Sequence, residues 1–461
     1  MGAAPDELGT RYYLIAGNVP GDITLWTGVA KLAPATVLSL STRNTESSTY
    51  WTLDLDEEAG RLSLNESVDY VIDALSAALR RSLVREGKSW LSLTGGFDSR
   101  TLALLVDRAN LGFDSYCHGP SNSKDVLIAS RICAETNWNY QHYQLPGDWG
   151  IERPQWFSQT IGRSEGHVDV FKTSRIIWEQ VLKAKRHNVS IWGFGGEIYR
   201  GFYWKQEPPL VRQGTTVNYA RLVDMRILPR IARPILKDTE VWVRTVRAEL
   251  ISRLQRIGEQ QSTWPKSAKL DLVGTVLEGS IHAGAHVSAV MGIQRAITPF
   301  YFKSGIQSAM SINAQWRKRN QLFRHMIERM NPNVAHIETA DGGPAGPARL
   351  RNLPRFAPLY LHEAKKLARA LGNRFLGLNL WDGGRGTGSD YPITRWRIET
   401  INALKASGVL VPTEMASREL YDRDALERFL LEATDDGFQH EALLSRVATV
   451  ELAFRELSVS L

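Results

Sequence analysis

The sequence predicts an α/β protein: a doubly wound parallel sheet with a large C-terminal helical layer and a short β-rich N-terminal segment. Between residues 88 and 203, short apolar runs alternate with runs whose apolar residues recur at helical spacing, as in the strand–helix–strand units of parallel sheets. Beyond Tyr203 the spacing is mostly helical. Glycine-rich turns follow two predicted strands, and open α/β sheets bind ligands at the carboxyl ends of their strands.

Two domains are predicted, residues 1–60 and residues 61–461. The first contains the strand-like runs YYLIAG, ITLW and TVLSLS, which Gly, Pro and Asn interrupt. The second opens with NESVDYVIDALSAALRRSLV, a run with helical spacing that follows Ser63 or Asn65 as a candidate cap.

The second predicted domain reads as strands and helices in turn. Strands are expected at WLSL, DSYCH, NYQHYQL and VSIWGF, and helices at SRTLALLVDRA and DVLIASRICAE. Further helices are expected at WVRTVRAELISRLQRI, residues 268–289, NQLFRHMIERM, LHEAKKLARAL, ALERFLLEA and ALLSRVATVELAFREL. The Gly-, Pro- and Arg-rich run from Gly342 to Arg355 predicts a loop near the active face.

Composition favours a soluble cytoplasmic enzyme. The formal charge of +7 comes from scattered basic residues, which favours a solvated surface over a nucleic-acid interface. The two cysteines, Cys117 and Cys133, have neither CxxC spacing nor a nearby His pattern, so neither a disulfide framework nor a zinc site is expected. No apolar run reaches the roughly 18 residues that a membrane span requires.

The strongest motif is TGGFDS, residues 94–99, between a predicted strand and a predicted helix. Gly95 and Gly96 allow the backbone to approach an anion, and the amides at a helix start attract phosphate. Thr94 and Ser99 add hydroxyl donors, and Asp98 offers an oxygen ligand to Mg²⁺. The alternative reading is a glycine-rich turn with a capping Asp. The motif is neither a P-loop nor a dinucleotide fingerprint.

TGGFDS resembles the pyrophosphate loop SGGxDS of the ATP-pyrophosphatase (PP-loop) superfamily. A second motif, GFGGEIYRGFY at residues 193–203, resembles the signature of asparagine synthetases and their relatives, the β-lactam synthetases and lasso-peptide cyclases. In this resemblance Glu197 takes the place of the family's pyrophosphate-site Asp, and Ile198 replaces its second acid. The alternative is a glycine-rich turn with an incidental Glu.

The resemblance implies an ATP-dependent amide-forming ligase that activates a carboxylate as an acyl-adenylate, releases pyrophosphate and passes the acyl group to ammonia or an amine. ATP and Mg²⁺ are the implied cofactors, and a small-molecule or peptide carboxylate and an amine donor are the implied partners. Asp98 and Glu197 would hold the metal, and Glu165, Glu197 and Arg317 are the implied catalytic residues. The implied nucleotide-binding residues are Thr94, Gly95, Gly96, Asp98, Ser99, Cys117, His118, Gly195 and Gly196.

Two of these assignments have simpler alternatives. Glu165 stands where the family often has a catalytic or substrate-orienting glutamate, and it could equally be a surface charge. Asp169 lies near a family metal-ligand position, where the surface reading is favoured.

The chain departs from the family in three respects. It begins Met1-Gly2-Ala3 instead of with a catalytic Cys, and its first sixty residues resemble only the end of a glutaminase domain. Ammonia would then come from solution, from a separate glutaminase or from a pathway partner. Phe194 lacks the hydroxyl of the catalytic Tyr in β-lactam synthetases.

The third departure concerns charge. The family's two lysines fall on Asn320 and Ala340, which are uncharged. Residues that could compensate are Arg317, Lys318, Arg319, Arg324, Arg349, Arg351 and Arg355. Two alternatives therefore stay open beside the ligase: a catalytically degenerate homologue that binds nucleotide or a partner protein, and a lasso-type macrolactam cyclase.

Overall fold

The computed structural model describes residues 4–204, 214–228, 234–277, 279, 282–362, 364–365 and 391–457. Its strands are β1 (Thr36–Leu40), β2 (Thr45–Thr49), β3 (Ser89–Ser92), β4 (Phe113–His118), β5 (Tyr140–Tyr143), β6 (Val189–Ile191) and β7 (Arg295–Ile297).

The α-helices of the first half are α1 (Glu7–Ala16), α2 (Glu57–Gly60), α3 (Leu64–Leu83), α4 (Phe97–Arg108), α5 (Lys124–Thr136), α6 (Trp149–Glu152), α7 (Phe157–Ser164), α8 (Val170–Lys183) and α9 (Tyr219–Leu222). Those of the second half are α10 (Thr239–Glu259), α11 (Lys266–Leu277), α12 (Ala283–Met291), α13 (Lys303–Ser311), α14 (Ala314–Arg317), α15 (Gln321–Met330), α16 (Pro332–His336), α17 (Ile393–Ala406), α18 (Arg423–Glu432) and α19 (Glu441–Leu457). Short 3₁₀ turns include Gly196–Arg200 and Leu350–Phe356.

The central sheet has the order β5-β4-β3-β6-β7, and all its strands are parallel. From β3 the chain moves outward through β4 to β5, and it later returns to the other side of β3 with β6. The strand order therefore reverses between β3 and β6. In open α/β sheets the crevice at such a reversal is where ligands bind, beyond the carboxyl ends of the strands.

Helices cover both faces of the sheet. On one face Leu91 and Cys117 belong to a buried cluster that includes residues of α3, α4 and α15. On the other face Trp90 packs with Tyr116 and Tyr143, and Leu182 of α8 lies against them. The model therefore confirms the predicted α/β class, and its parallel sheet is compatible with a doubly wound fold.

Helix α3 shows how closely local sequence sets an element here. Ser63 caps it, and Glu66 reaches back to the Ser63 amide at 2.9 Å, which completes a capping box. Apolar residues at helical spacing, among them Val68, Val71 and Leu75, are buried. The predicted helix and its Ser63 cap are confirmed.

The prediction of a purely β-rich N-terminal segment is wrong for Arg11 to Ala16, which lie in helix α1. Asp6 caps this helix, and Gly17 ends it with a φ of 79°. All of its residues from Gly9 to Ala16 are buried. A run that is buried on all sides shows no periodicity that separates strand from helix. The predicted strand TVLSLS is present as β1, which pairs with β2 in an antiparallel hairpin.

The N-terminal helix shares its core with the C-terminal one. Tyr12, Tyr13 and Leu14 of α1 belong to the same buried cluster as Val447 and Phe454 of α19.

Most of the predicted helices of the second half are present; within the stretch 268–289, residues 268–277 lie in α11 and residues 283–289 in α12. The predicted helix LHEAKKLARAL falls largely outside the described residues. Among the residues that the model describes, no helix combines the length and apolarity needed to cross a membrane.

A partly buried histidine, His167, makes this fold sensitive to acid. Burial, with a contribution from Lys31, lowers the pKa of His167 from 6.5 to about 4. The unfolded chain therefore takes up a proton that the folded chain refuses. The unfolding free energy is therefore unaffected by this histidine above pH 6.5. It decreases as the pH falls from 6.5 through 4, because the unfolded chain is then protonated at His167 and the folded chain is not.

We expect acidification from pH 7 to pH 4.5 to cost the wild-type protein about 2 kcal/mol more unfolding free energy than a His167→Gln variant. Urea unfolding of both proteins at the two pH values measures the difference. Equal losses in the two proteins would show that His167 titrates normally in the fold.

Candidate functional site

The first glycine loop joins β3 to α4 and is held by its own hydroxyls. Ser99 Oγ accepts from the Thr94 amide at 3.0 Å and lies 3.0 Å from Thr94 Oγ1, which in turn accepts from the Gly96 amide at 3.2 Å. Gly96 is the N-cap of α4 and supplies no side-chain cap. No N-cap side chain therefore competes with an anion for the first amides of α4.

One amide of this loop already has an anionic partner. The Gly95 N–H donates to Asp125 Oδ1 at 2.9 Å, from the first turn of α5. Burial raises the pKa of Asp125 above its ordinary value, against the effect of this hydrogen bond. A carboxylate oxygen thus takes an amide that the sequence assigns to phosphate.

The second glycine loop follows β6 and lies directly against the first. Gly195 adopts a φ of 95°, which glycine tolerates best. A Cβ on Gly196 would lie 2.3 Å from Asp98 Cγ. Gly196 is therefore a glycine because Asp98 occupies the space that a side chain would need.

Asp98 and Glu197 meet at a single guanidinium. Arg200 Nη2 lies 3.0 Å from Asp98 Oδ2 and 3.2 Å from Glu197 Oε1. Burial raises the pKa of Asp98 to about 7, with Arg200 opposing this shift and Glu197 adding to it. Asp98 and Glu197 thus follow two adjacent strands, β3 and β6, and both contact Arg200.

Two further carboxylates lie near this group. Asp341 interacts electrostatically with both Arg200 and Asp125. Asp98, Glu197 and Asp341 therefore act on one guanidinium, with Asp125 next to Asp341, and the site carries more acidic than basic groups. Such a charge balance attracts a cation.

The donor set fits Mg²⁺. Among the described residues Asp98 Oδ1 is buried without a hydrogen-bond partner, and buried polar atoms normally have one. The part of the chain that the model describes contains no group of three or more His, Cys, Asp or Glu side chains arranged to hold a metal. Mg²⁺ is commonly bound by one or two carboxylates, with substrate phosphates and water completing its shell.

The loop after α16, residues 337–346, borders the first glycine loop and is called the rim loop. The Ala340 amide donates to Gly95 O at 3.1 Å, and a Cβ on Gly95 would lie 3.1 Å from Ala340 Cβ. Arg100 of α4 holds this loop by donating to Ile337 O at 2.9 Å and Glu338 O at 2.7 Å. Ala340 therefore borders the glycine loop, where the family resemblance implies a lysine.

Cys117 and His118 end β4, next to β3. Cys117 is fully buried, and burial raises the pKa of its thiol. His118 Nδ1 lies 2.9 Å from Glu179 Oε1 of α8, and burial lowers the pKa of this histidine. The adjacent Gly119 amide donates to Tyr143 O at 3.1 Å, so the main chain next to these two nucleotide-binding candidates is engaged in the sheet.

Glu165 and Arg317 occupy positions unlike those of Asp98 and Glu197. Glu165 is exposed at the end of α7, where its carbonyl accepts from Trp26 Nε1 at 3.1 Å. Arg317 is buried, pairs with Asp271 Oδ2 at 2.7 Å and donates to Ile198 O at 2.9 Å. Arg317 therefore supports the second glycine loop through the Ile198 carbonyl.

Three of the other candidate cations have partners in the fold, and one of them, Arg349, pairs with Glu328. Arg324 donates to Pro344 O and Gly346 O, and Arg355 donates to His336 O. Asp169 caps α8 by accepting from the Lys172 amide. These contacts hold the rim loop and a helix end.

Sequence reasoning missed Arg200, Asp125 and Asp341. Arg200 lies within the second motif, three residues after Glu197, and an acid and a base three residues apart on one helical turn are neighbours. That spacing was a usable signal. Asp125 and Asp341 carried none, because only the folded loops bring them to Gly95 and Arg200.

A Gly196→Ala substitution tests the contact between the two loops. The added Cβ must displace Asp98, so we expect MgATP to bind at least about tenfold more weakly, since small misplacements of site groups have large effects. Titration calorimetry measures the affinity. The matched control is Gly162→Ala, where a Cβ meets nothing within 4 Å. Equal affinity in the two variants would contradict the proposed role of the loop contact.

Fold and site together define an α/β protein in which two glycine loops and the carboxylates around Arg200 meet at the strand-order reversal of a parallel sheet. No protein-family model matches this chain, and no curated protein matches it.

Proposed function

We propose that the chain is an ATP-dependent amide-forming ligase of the PP-loop, asparagine-synthetase-like type. The observation that carries this proposal is that Asp98 and Glu197, which follow neighbouring strands, both contact the Arg200 guanidinium. This contact lies beside the start of α4, where no side chain caps the helix. A helix start attracts phosphate, and paired carboxylates suit the magnesium that accompanies a nucleoside triphosphate.

The proposed reaction joins a carboxylate to an amine. A substrate carboxylate oxygen attacks the α-phosphorus of ATP, pyrophosphate leaves, and ammonia or an amine then takes the acyl group while AMP departs. Mg²⁺ would be held by Asp98 and Glu197, and it would neutralise the charge of the phosphates. The chain's own contribution is to position these groups and stabilise charge.

Each loop has a distinct task in this proposal. The α4 amides would receive the pyrophosphate portion, and the Thr94 and Ser99 hydroxyls hold the loop in shape. Gly195 and Gly196 let the second loop approach Asp98 closely. Arg317 keeps Glu197 in place through the Ile198 carbonyl.

We propose that the amine is ammonia or a substrate amine that arrives from solution or from a separate protein. An internal glutaminase needs an accessible thiolate. Both cysteines are unpaired and buried, and burial raises the pKa of Cys133 to about 11. Neither thiol is suited to that role.

A degenerate nucleotide-binding homologue is the second candidate, and two observations favour it. Asp125 occupies the Gly95 amide, and Ala340 stands uncharged at the rim beside it. A cationic clamp of the family type is missing at Ala340, and such groups contribute about 3 to 4 kcal/mol to transition-state stabilisation.

Pyrophosphate release separates the two candidates. The purified chain is assayed with MgATP and ammonia against a panel of amino acids and carboxylate-bearing peptides, with an Asp98→Asn/Glu197→Gln double variant as the control. Pyrophosphate release that requires one particular substrate of the panel, and that is lost in the double variant, supports the ligase. Nucleotide binding without release for any acceptor favours the degenerate homologue.

A further inference from the structure

Arg200 is the charged group at the centre of the site, and neither the sequence motifs nor the proposed reaction gives it a task. Its side chain is 28% exposed, and it lies on the same short 3₁₀ turn as Glu197. One nitrogen, Nη2, makes both carboxylate contacts. Its Nε is buried and has no hydrogen-bond partner among the described residues.

The unpartnered atoms on the two sides of this contact complement each other. Asp98 Oδ1 is an acceptor without a donor, and Arg200 Nε is a donor without an acceptor. Buried groups of this kind normally have partners, so a ligand that brings both a cation and an anion would satisfy both. A triphosphate with its divalent cation has this composition.

Arg200 and a divalent cation compete for the same two carboxylates, those of Asp98 and Glu197. Mg²⁺ binds oxygen at about 2.0 to 2.1 Å and carries twice the charge of a guanidinium, so the two cations repel each other if both contact Asp98 and Glu197. Binding of the metal therefore releases the guanidinium of Arg200 from both carboxylates. Because Arg200 is only three residues from Glu197, the freed guanidinium stays at the site.

A freed guanidinium here has an obvious partner. Arginine presents paired N–H donors that match phosphate oxygens. Ala340 borders the glycine loop without a charge, so the rim lacks a cation at that position.

We propose that Arg200 is the phosphate-binding cation of this site, held by Asp98 and Glu197 until a divalent cation takes those carboxylates. The inference rests on the proposed function, because it assumes that the ligand is a metal–triphosphate. It assigns Arg200 the role that the family resemblance gives to lysines at Asn320 and Ala340.

Two direct binding measurements with opposite signs test the proposal. In an Arg200→Gln variant, Mn²⁺ alone should bind several-fold more tightly than in the wild-type protein, because its competitor is gone; electron paramagnetic resonance reports free Mn²⁺. MgATP should bind the same variant about tenfold or more weakly, since a charge-assisted hydrogen bond to phosphate is lost. Titration calorimetry measures this affinity.

Two further variants complete the design. Arg200→Lys keeps the charge but not the paired donors, and it should recover part of the MgATP affinity even if Arg200→Gln folds poorly. Arg329→Gln removes an arginine that pairs with Asp69 at 3.1 Å on the surface, and it should leave both affinities unchanged.

The outcomes are separable. Wild-type MgATP affinity in Arg200→Gln would overturn the role of Arg200 and leave the proposed function standing. Unchanged Mn²⁺ affinity would overturn the competition between the two cations. If the wild-type protein binds no MgATP, the proposed function fails, and the role of Arg200 fails with it.

Discussion

Replacing Asp98 by Asn is expected to lower the rate of pyrophosphate release roughly 100-fold, the scale on which removal of a single charge-stabilising group acts in other enzymes. Asp98 begins α4, contacts Arg200 and packs on Gly196, so it belongs to both glycine loops. An amide at this position keeps the shape but offers a neutral oxygen and a nitrogen that cannot bind Mg²⁺. The rate is measured at saturating and at limiting MgATP.

The matched control for this change is Asp107→Asn in the same helix. Asp107 is exposed and accepts from Trp138 Nε1 at 3.1 Å. Its replacement should leave pyrophosphate release unchanged. If Asp98→Asn were as active as Asp107→Asn, Asp98 would have no part in the chemistry.

Replacing Asp271 by Ala is expected to cost about 3 to 5 kcal/mol of unfolding free energy, because it leaves a buried charge without its partner. The partner is Arg317, and the two side chains are 0% and 1% exposed. Denaturant unfolding measures the loss. Asp69→Ala is the matched control, because it breaks the exposed Asp69–Arg329 pair, and exposed pairs contribute less than about 1 kcal/mol.

A double variant separates the charge from the fold. Asp271→Leu/Arg317→Met replaces the pair by apolar side chains and should recover much of the lost stability. It should not recover MgATP binding in full, because the Arg317 hydrogen bond to Ile198 O is gone. This bond holds the backbone directly after Glu197. A loss below about 1 kcal/mol for Asp271→Ala would show that the pair is not desolvated.

The sequence was informative where local chemistry determines structure. Three features depend on residues that are close in sequence. They are the capping box of Ser63 and Glu66, the alternation of strands and helices, and the glycines next to Asp98. The approach of Asp98 and Glu197 followed from parallel topology, because carboxyl ends of neighbouring strands share one edge.

The remaining features depend on contacts between distant segments. Asp125 reaches Gly95 across 30 residues, and Arg100 holds carbonyls more than 230 residues away. Arg317 was assigned to catalysis as a cation that could replace the family's lysines, whereas its pairing with Asp271 is visible only in the fold. Helix α1 was read as strand because a fully buried run carries no periodicity.

The most direct test is the structure of the protein with Mg²⁺ and α,β-methylene-ATP, an analogue whose α–β linkage resists cleavage. The account predicts the phosphates at the start of α4 between the two glycine loops, the metal against Asp98 and Glu197, and the Arg200 guanidinium moved onto phosphate. Nucleotide bound elsewhere, or a site in which Arg200 still bridges both carboxylates at saturating MgATP analogue, would contradict it.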